Sequence, residues 1–324
     1  MQQILIGENE AGQRMDKFLM KFMPLAPASF FYKMLRKKNI TLNGKKAEGK
    51  EKLASGDKIS FYLADETISS FQKQQCRVKE YEEAYTQLKG IEVVYEDEYI
   101  VILNKPEGIL SQKADKGDLS LNEWMIGYLL SCGSLSVEQL STYKPSVCNR
   151  LDRNTEGLVI GAKSLAGSQE MNRLISQRQI RKFYRMLVKG RVEKEETLEG
   201  FLVKEEKNNT VHLVKDGEGQ KGSFIKTRYY PVAYYPDRTL VEAELITGRS
   251  HQIRIHMAST DHPLLGDYKY GDRKWNDGYK RRYGICSQLL YACRLEFPEM
   301  KTPFEKLDRK VIEIPYPVQF QELL

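Results

Sequence analysis

The chain has 324 residues, with 51 Lys and Arg against 44 Asp and Glu, a formal charge of +7, 41% hydrophobic and 29% charged residues. That balance suits a soluble globular protein of about two domains, and the basic excess favours a polyanionic partner or a membrane surface. No apolar run of roughly 18 residues occurs, which excludes a membrane-spanning helix. The five cysteines, at 76, 132, 148, 286 and 293, are odd in number and show no Cys-x-x-Cys spacing, so they suggest neither a disulfide framework nor a zinc site. The opening Met-Gln-Gln-Ile-Leu-Ile-Gly-Glu lacks the apolar core of a signal peptide, and a cytoplasmic protein is expected.

In chain order, Gln13 to Met23 places Met15, Phe18, Leu19 and Phe22 at helical spacing, and Ala28 to Lys38 does the same for Phe30, Phe31, Met34 and Leu35. Ile40 to Lys45 reads as a strand ending in an Asn43-Gly44 turn. A second strand, Lys58 to Tyr62, follows the turn Ser55-Gly56-Asp57. Between Lys33 and Lys58 nine Lys and Arg face three acids, Glu48, Glu51 and Asp57. Arg36, Lys37 and Lys38 at a helix end have a structural explanation in the helix dipole. With Lys45 and Lys46 on the hairpin they also form a candidate phosphate-binding surface. The segment from Gly12 to Leu63 resembles the S-four-type RNA-binding module, through Arg14-x-Asp16-Lys17-Phe18-Leu19, Leu42-Asn43-Gly44-Lys45 and Gly56-Asp57-Lys58-Ile59. The resemblance implies RNA contact and discloses no chemistry.

Residues 67–90 are polar and read as a linker with room for some helix. Beyond them the pattern turns β-rich, with strands expected at Ile91–Tyr95, Tyr99–Asn104, Leu158–Ala162, Tyr184–Lys189, Thr227–Tyr235 and Leu240–Leu245, and helices at Leu121–Leu130 and Leu165–Gln177. Strands outnumber helices and several are joined by short turns. The expected fold class is therefore α+β: a mainly antiparallel mixed sheet flanked by helices, preceded by the small N-terminal unit. The division is 1–66, a linker 67–90, and 91–324.

Four motifs bear on chemistry. Asn149-Arg150-Leu151-Asp152-Arg153-Asn154-Thr155-Glu156-Gly157 sets one acid between two arginines. Such a carboxylate is either part of a surface ion-pair cluster or an ionised acid suited to act as nucleophile or base. Asn104-Lys105-Pro106-Glu107-Gly108 ends a strand, where Lys105 could meet a phosphate. Arg181 to Val188 reads as a strand whose Tyr184 either packs in a core or stacks on a base. In Thr247-Gly248-Arg249-Ser250-His251-Gln252-Ile253-Arg254-Ile255-His256, strand alternation would place Gln252, Arg254 and His256 on one face and His251 on the other. A zinc set of His251, His256 and His262 is therefore not expected. Gly217-x-Gly219-x-x-Gly222 spells a dinucleotide fingerprint, but the strand expected after it makes it a hairpin connection.

Taken in order, these blocks are similar to the RluA-type RNA pseudouridine synthases over residues 90–300. The resemblance implies a cofactor-free, metal-free enzyme that isomerises uridine to pseudouridine in structured RNA. It gives Asp152 as catalytic aspartate, Tyr184 as the ring that stacks on uracil and assists proton transfer, and Arg254 as the basic residue that pairs with the aspartate. Arg150, Arg153, Lys105, Arg249, His251 and Gln252 would contact substrate, and Arg36, Lys37, Lys38, Lys45 and Lys46 would contact RNA through the N-terminal unit. The chain departs from the family where Asn149 replaces a common His and Glu156 a common Ser. Large-subunit ribosomal RNA is the expected target and transfer RNA the alternative, with the protein a monomer. A second class is an inactive RNA-binding protein, and a third, a metal- or nucleotide-dependent RNA hydrolase, lacks a metal cluster or phosphate loop.

Overall fold

The computed structural model describes residues 2–7, 9–72, 75–205, 210–214 and 222–324. Strand β1 (Gln2–Leu5) is followed by helices α1 (Met15–Phe22) and α2 (Ala28–Arg36), then β2 (Ile40–Leu42), β3 (Lys45–Lys46) and β4 (Lys58–Phe61). Met15, Phe18, Leu19 and Phe22 of α1 and Phe31, Met34 and Leu35 of α2 are buried on the sheet, as the three-and-four spacing of an amphipathic helix requires. The small antiparallel sheet runs β1-β4-β2-β3. Asn43 (φ 51°) and Gly44 (φ 73°) both occupy the left-handed region between β2 and β3, the conformation that two-residue hairpins favour.

The polar segment read as a linker carries helical structure on either side of residues 73–74. Helix α3 (Asp65–Phe71) buries Ile68 and sets Phe71 against Phe30, ring centroids 4.9 Å apart, in the N-terminal core. Helix α4 (Gln75–Gln87) buries Tyr81 and Ala84 in the next core, with Tyr85 5.5 Å from Trp124. Few apolar residues are needed when each is placed at the contact, and a count over a polar segment misses them.

The remaining strands are β5 (Glu92–Glu96), β6 (Ile100–Lys105), β7 (Ser146–Val147), β8 (Glu156–Ala162), β9 (Arg181–Lys189), β10 (Glu196–Glu205), β11 (Thr210–Val214), β12 (Ser223–Tyr234), β13 (Arg238–Leu245), β14 (Leu290–Glu296) and β15 (Val311–Glu313). Helices α5 (Leu121–Ser131), α6 (Leu165–Ser176), α7 (Gln252–Ser259), α8 (Arg273–Tyr283) and α9 (Val318–Gln321) lie between or after them. Among the described residues these strands form one sheet of order β11-β10-β12-β13-β9-β14-β8-β6-β5, with β15 on β14 and β7 on β8. Among the named strands of the described residues only β14 against β8 is parallel, so the mainly antiparallel α+β class read from the sequence holds. Gly217–Lys221 lie outside the described residues; the strand expected after Gly222 is β12.

Side-chain alternation sorts the strands onto two faces. Tyr184, Met186 and Val188 of β9, with Val101, Leu103 and Val159, face the core made with α4, α5 and α7. Phe183 and Leu187, with Ile100, Ile102, Leu158 and Ile160, face the core made with α6 and the C-terminal segment. Gly157 explains one letter of the aspartate block: at φ 113°, a Cβ there would lie 2.3 Å from the Ala292 carbonyl oxygen, where β8 and β14 approach. No described helix is long and apolar enough to cross a membrane.

Candidate active site

Asp152 sits on the loop between β7 and β8, and that loop is held from beneath. The Leu151 amide donates to Ser111 Oγ (2.9 Å), which in turn donates to the Leu151 carbonyl (2.9 Å). Asn149 Oδ1 accepts from the Ile160 amide at 2.8 Å, and the Thr155 amide closes a turn on the Asp152 carbonyl at 3.0 Å. Asn149 thus braces the loop against β8, a structural use for the residue that departs from the common His.

Lys105 is the main correction to the sequence reading. It is fully buried, and its ammonium donates to the carbonyls of Pro106 (2.8 Å), Ile109 (2.9 Å) and Arg153 (3.0 Å). All three N–H donors are used, so it does not reach a phosphate; it ties the strand-ending turn to the aspartate loop. Burial pulls its pKa down to about 8, against the opposing pull of Glu156, Asp152 and Glu107.

Opposite the loop, the expected strand from Gln252 onward is the helix α7. Its five-residue alternation is too short to separate the two periods, and His251, left-handed at φ 57°, breaks the chain away from β13. Helical spacing puts Gln252 and His256 on one side, where Gln252 Nε2 and His256 Nδ1 both lie 2.9 Å from Thr227 Oγ1. Gln252 also accepts from Thr247 Oγ1 at 2.9 Å and donates to the Lys226 carbonyl at 3.0 Å. It is a buried brace for the Thr247–His251 turn and not a substrate contact. His262 Nδ1 lies 2.9 Å from the Lys189 carbonyl, so the three histidines serve three separate places.

Arg254 is buried, and its guanidinium is bidentate on Asp267, with Nε to Oδ2 at 2.7 Å and Nη2 to Oδ1 at 2.8 Å. The expected direct pair with Asp152 is absent among the described residues; the negative charge of Asp152 acts on Arg254 through space, beneath the contribution of Asp267. Burial would raise the Asp267 carboxyl, but the bonds from Arg254 outweigh it and hold it below the ordinary range. Asp267 lies in the Gly266-Asp267-x-x-Tyr270-Gly271 stretch that reads from sequence only as a turn. Asn276 of α8 fixes that turn, donating to the Asp267 carbonyl and accepting from the Gly266 amide, both at 2.9 Å.

Beside Asp152 stands the His251 ring, whose Nε2 is 3.9 Å from Oδ2, beyond hydrogen-bond reach. Its Nδ1 shares a hydrogen bond of 2.8 Å with the Tyr270 hydroxyl. Burial lowers the His251 pKa, with Asp152 opposing, which favours the neutral ring. Tyr184, 6% exposed, projects from β9 into the same space. Burial, reinforced by the charge of Asp152, raises its phenol pKa, so it stays protonated at neutral pH and can donate but not accept a proton.

These side chains line a cleft of about 810 Å³. Asp152 is the one carboxylate among its described lining residues, while Arg150, Arg153, Lys182, Arg249 and Arg254 are cations. Arg150, Arg153 and Arg249 are exposed at the rim. The arrangement presents a half-buried, weakly partnered carboxylate and a protonated phenol to a ligand, under a positive potential that attracts polyanions. Among the described residues, no group of three or more His, Cys, Asp and Glu is placed to hold a metal ion.

Residues 99–259, which contain Asp152, Tyr184 and Arg254, match the family model described as RNA pseudouridylate synthase. The ribosomal large subunit pseudouridine synthase C of Vibrio cholerae is 31% identical over 310 residues, spanning 92% of this chain and 89% of that protein. Its namesake from Vibrio vulnificus is 29% identical over 308 residues, spanning 93% and 90%. The solved structure of human RNA pseudouridylate synthase domain containing 4 is 20% identical, with a TM-score of 0.58 over 75% of this chain and 94% of that one, a likeness of fold.

Proposed function

The chain belongs to the RNA pseudouridylate synthase family and is an isomerase acting on RNA; we propose that its target is large-subunit ribosomal RNA and that Asp152 carries the chemistry. The observation that supports this reading is the single cleft carboxylate, set between the buried Tyr184 and a rim of cations. The names of the Vibrio relatives support the ribosomal target.

Isomerisation breaks the bond between uracil N1 and ribose C1′, turns the base, and joins C5 to C1′. The C5 proton leaves and N1 gains one, so no atom is added or lost overall. A uridine within folded RNA is out of reach until it is extruded, and the cleft would hold it flipped. Asp152, ionised, acts on the sugar by attack at C1′ or by removing a ribose proton. Tyr184 stacks on the detached base and, as a protonated phenol, donates to it. Arg254, locked in place by Asp267, sets the potential around Asp152 without occupying its oxygens. Arg150, Arg153 and Arg249 meet backbone phosphates at the rim. The exposed Arg36, Lys37, Lys38, Lys45 and Lys46 of the N-terminal unit contact RNA farther from the target base.

The test is release of tritium from RNA labelled at uridine C5. Unmodified large-subunit ribosomal RNA transcribed in vitro should lose label to water in stoichiometric amounts, and unmodified transfer RNA should not. Release from transfer RNA alone would move the target, and release from neither would leave an RNA-binding protein.

A further inference from the structure

Lys182, a cleft cation, differs from the cations on its own strand and on the sheet around it. Lys163 pairs with Glu96 at 2.6 Å, Lys189 with Asp272 at 2.5 Å, Lys226 with Glu199 at 2.6 Å and Arg185 with Glu242 at 2.7 Å. Lys105 is saturated by carbonyls. Lys182, among the described residues, has no ion pair and no hydrogen bond to its ammonium, although it is half-buried. Burial with no anion beside it pulls its pKa below the ordinary lysine value. Partly shielding an ammonium from water without an acceptor costs free energy that folding alone does not recover. An arriving anion would recover it.

The placement indicates which anion. Lys182 is two residues before Tyr184 on β9, so both project into the cleft, roughly 6.6 Å apart along the strand. The ammonium lies against Gly248, where an added Cβ would stand 3.6 Å from Nζ. Gly248 has no side chain to fill that flank, and the next residue, Arg249, is exposed. Asp152 is the one acid among the described residues lining this space, and an RNA strand carries one phosphate on each side of every nucleoside. We propose that Lys182, with Arg249 beside it, forms a phosphate subsite that holds the backbone next to the flipped uridine while Tyr184 holds the base. This rests on the reading of the cleft as the site of uridine isomerisation. Lys182 positions the nucleotide and takes no part in bond making or breaking.

The experiment compares wild type, Lys182→Met and Lys182→Arg, using unmodified large-subunit ribosomal RNA made in vitro. Binding is measured by filter retention at several salt concentrations, and turnover by tritium release. Lys182→Met should weaken binding and raise KM by at least about tenfold, the loss of one charge-assisted contact. The slope of log K against log salt should fall by about 0.7, the value for one phosphate on a single strand. Turnover at saturating RNA should stay near wild type, and Lys182→Arg should restore the slope. A folded Lys182→Met protein with wild-type affinity and salt slope overturns the subsite. Loss of slope in a protein whose wild type releases no tritium from any RNA would overturn the isomerase target and leave the phosphate subsite standing.

Discussion

The chain spells Arg-x-Asp twice, and the two copies end in opposite states. In the N-terminal unit, Arg14 folds back on Asp16, with Nη2 to Oδ2 at 2.6 Å and Nε to Oδ1 at 3.1 Å, and the Tyr32 hydroxyl donates to the same carboxylate at 3.1 Å. Asp16 is buried and saturated, and the bond from Arg14 holds its pKa low. In the cleft, Arg150 turns outward and leaves Asp152 with His251 at 3.9 Å. A saturated carboxylate stabilises a fold, whereas one with open lone pairs facing a cleft can meet a substrate. The tripeptide does not encode the difference. It comes from what the surrounding chain supplies: Tyr32 and the first turn of α1 in one case, a loop pinned from below by Ser111, Asn149 and Lys105 in the other.

Substitutions can break or sharpen this contrast. The largest stability loss should follow Asp267→Ala, which strands Arg254 as a buried, unpaired cation. Removing one partner of a buried pair costs about 3–5 kcal/mol, read as a drop in denaturation midpoint, and turnover should fall with it because Arg254 loses its fixed position. An unchanged midpoint would mean that the bidentate pair is not formed in solution.

Lys105→Met comes next. It leaves three carbonyls without their donor, where an unsatisfied buried acceptor costs about 1–3 kcal/mol, and relief from burying a charge offsets much of the sum. The sign of the pH effect follows from the pKa, lowered from 10.5 to about 8 in the folded protein. Below pH 8 the wild type bears the cost of a buried ammonium. Between about 8 and 10.5 the unfolded chain holds the proton that the folded one has lost, so wild-type stability gains with pH and the deficit of Lys105→Met should widen. Urea melts at pH 7 and pH 9.5 would show this, and a deficit that narrows would contradict the burial of Lys105.

The smallest effect belongs to Asp16→Asn. It should cost about 1 kcal/mol, since the Arg14 partner is half exposed, and should leave tritium release unchanged. The lowered Asp16 pKa contributes stability above its unfolded value near 3.8 that is lost as the pH falls through the folded one. The variant should therefore lack part of the acid-induced loss seen in the wild type. Loss of turnover in Asp16→Asn would remove the distinction between the two acids.

The sequence was most readable where local pattern decides structure. The apolar spacing of α1 and α2, the Asn43-Gly44 hairpin and the alternation along β6, β8, β9 and β13 are short-range signals, and the structure follows them. Asp152, Tyr184 and Arg254, which the family resemblance puts in one site, line one cleft. What failed were statements about side-chain fate. Lys105 meets Arg153 across 48 residues, Gln252 meets Thr227 across 25, and Arg254 is held by an aspartate 13 residues on. None of these partners can be chosen from the neighbouring letters. Lys182 was passed over for the same reason: a lysine inside a strand looks solvent-facing until the packing around it is known.

The most direct test is Asp152→Asn, nearly isosteric and unable to act as a charged nucleophile or base. The variant should melt with the wild type, bind large-subunit ribosomal RNA with the same affinity and salt dependence, and release no tritium from C5-labelled uridine. Tritium release near the wild-type rate would show that another group carries the reaction.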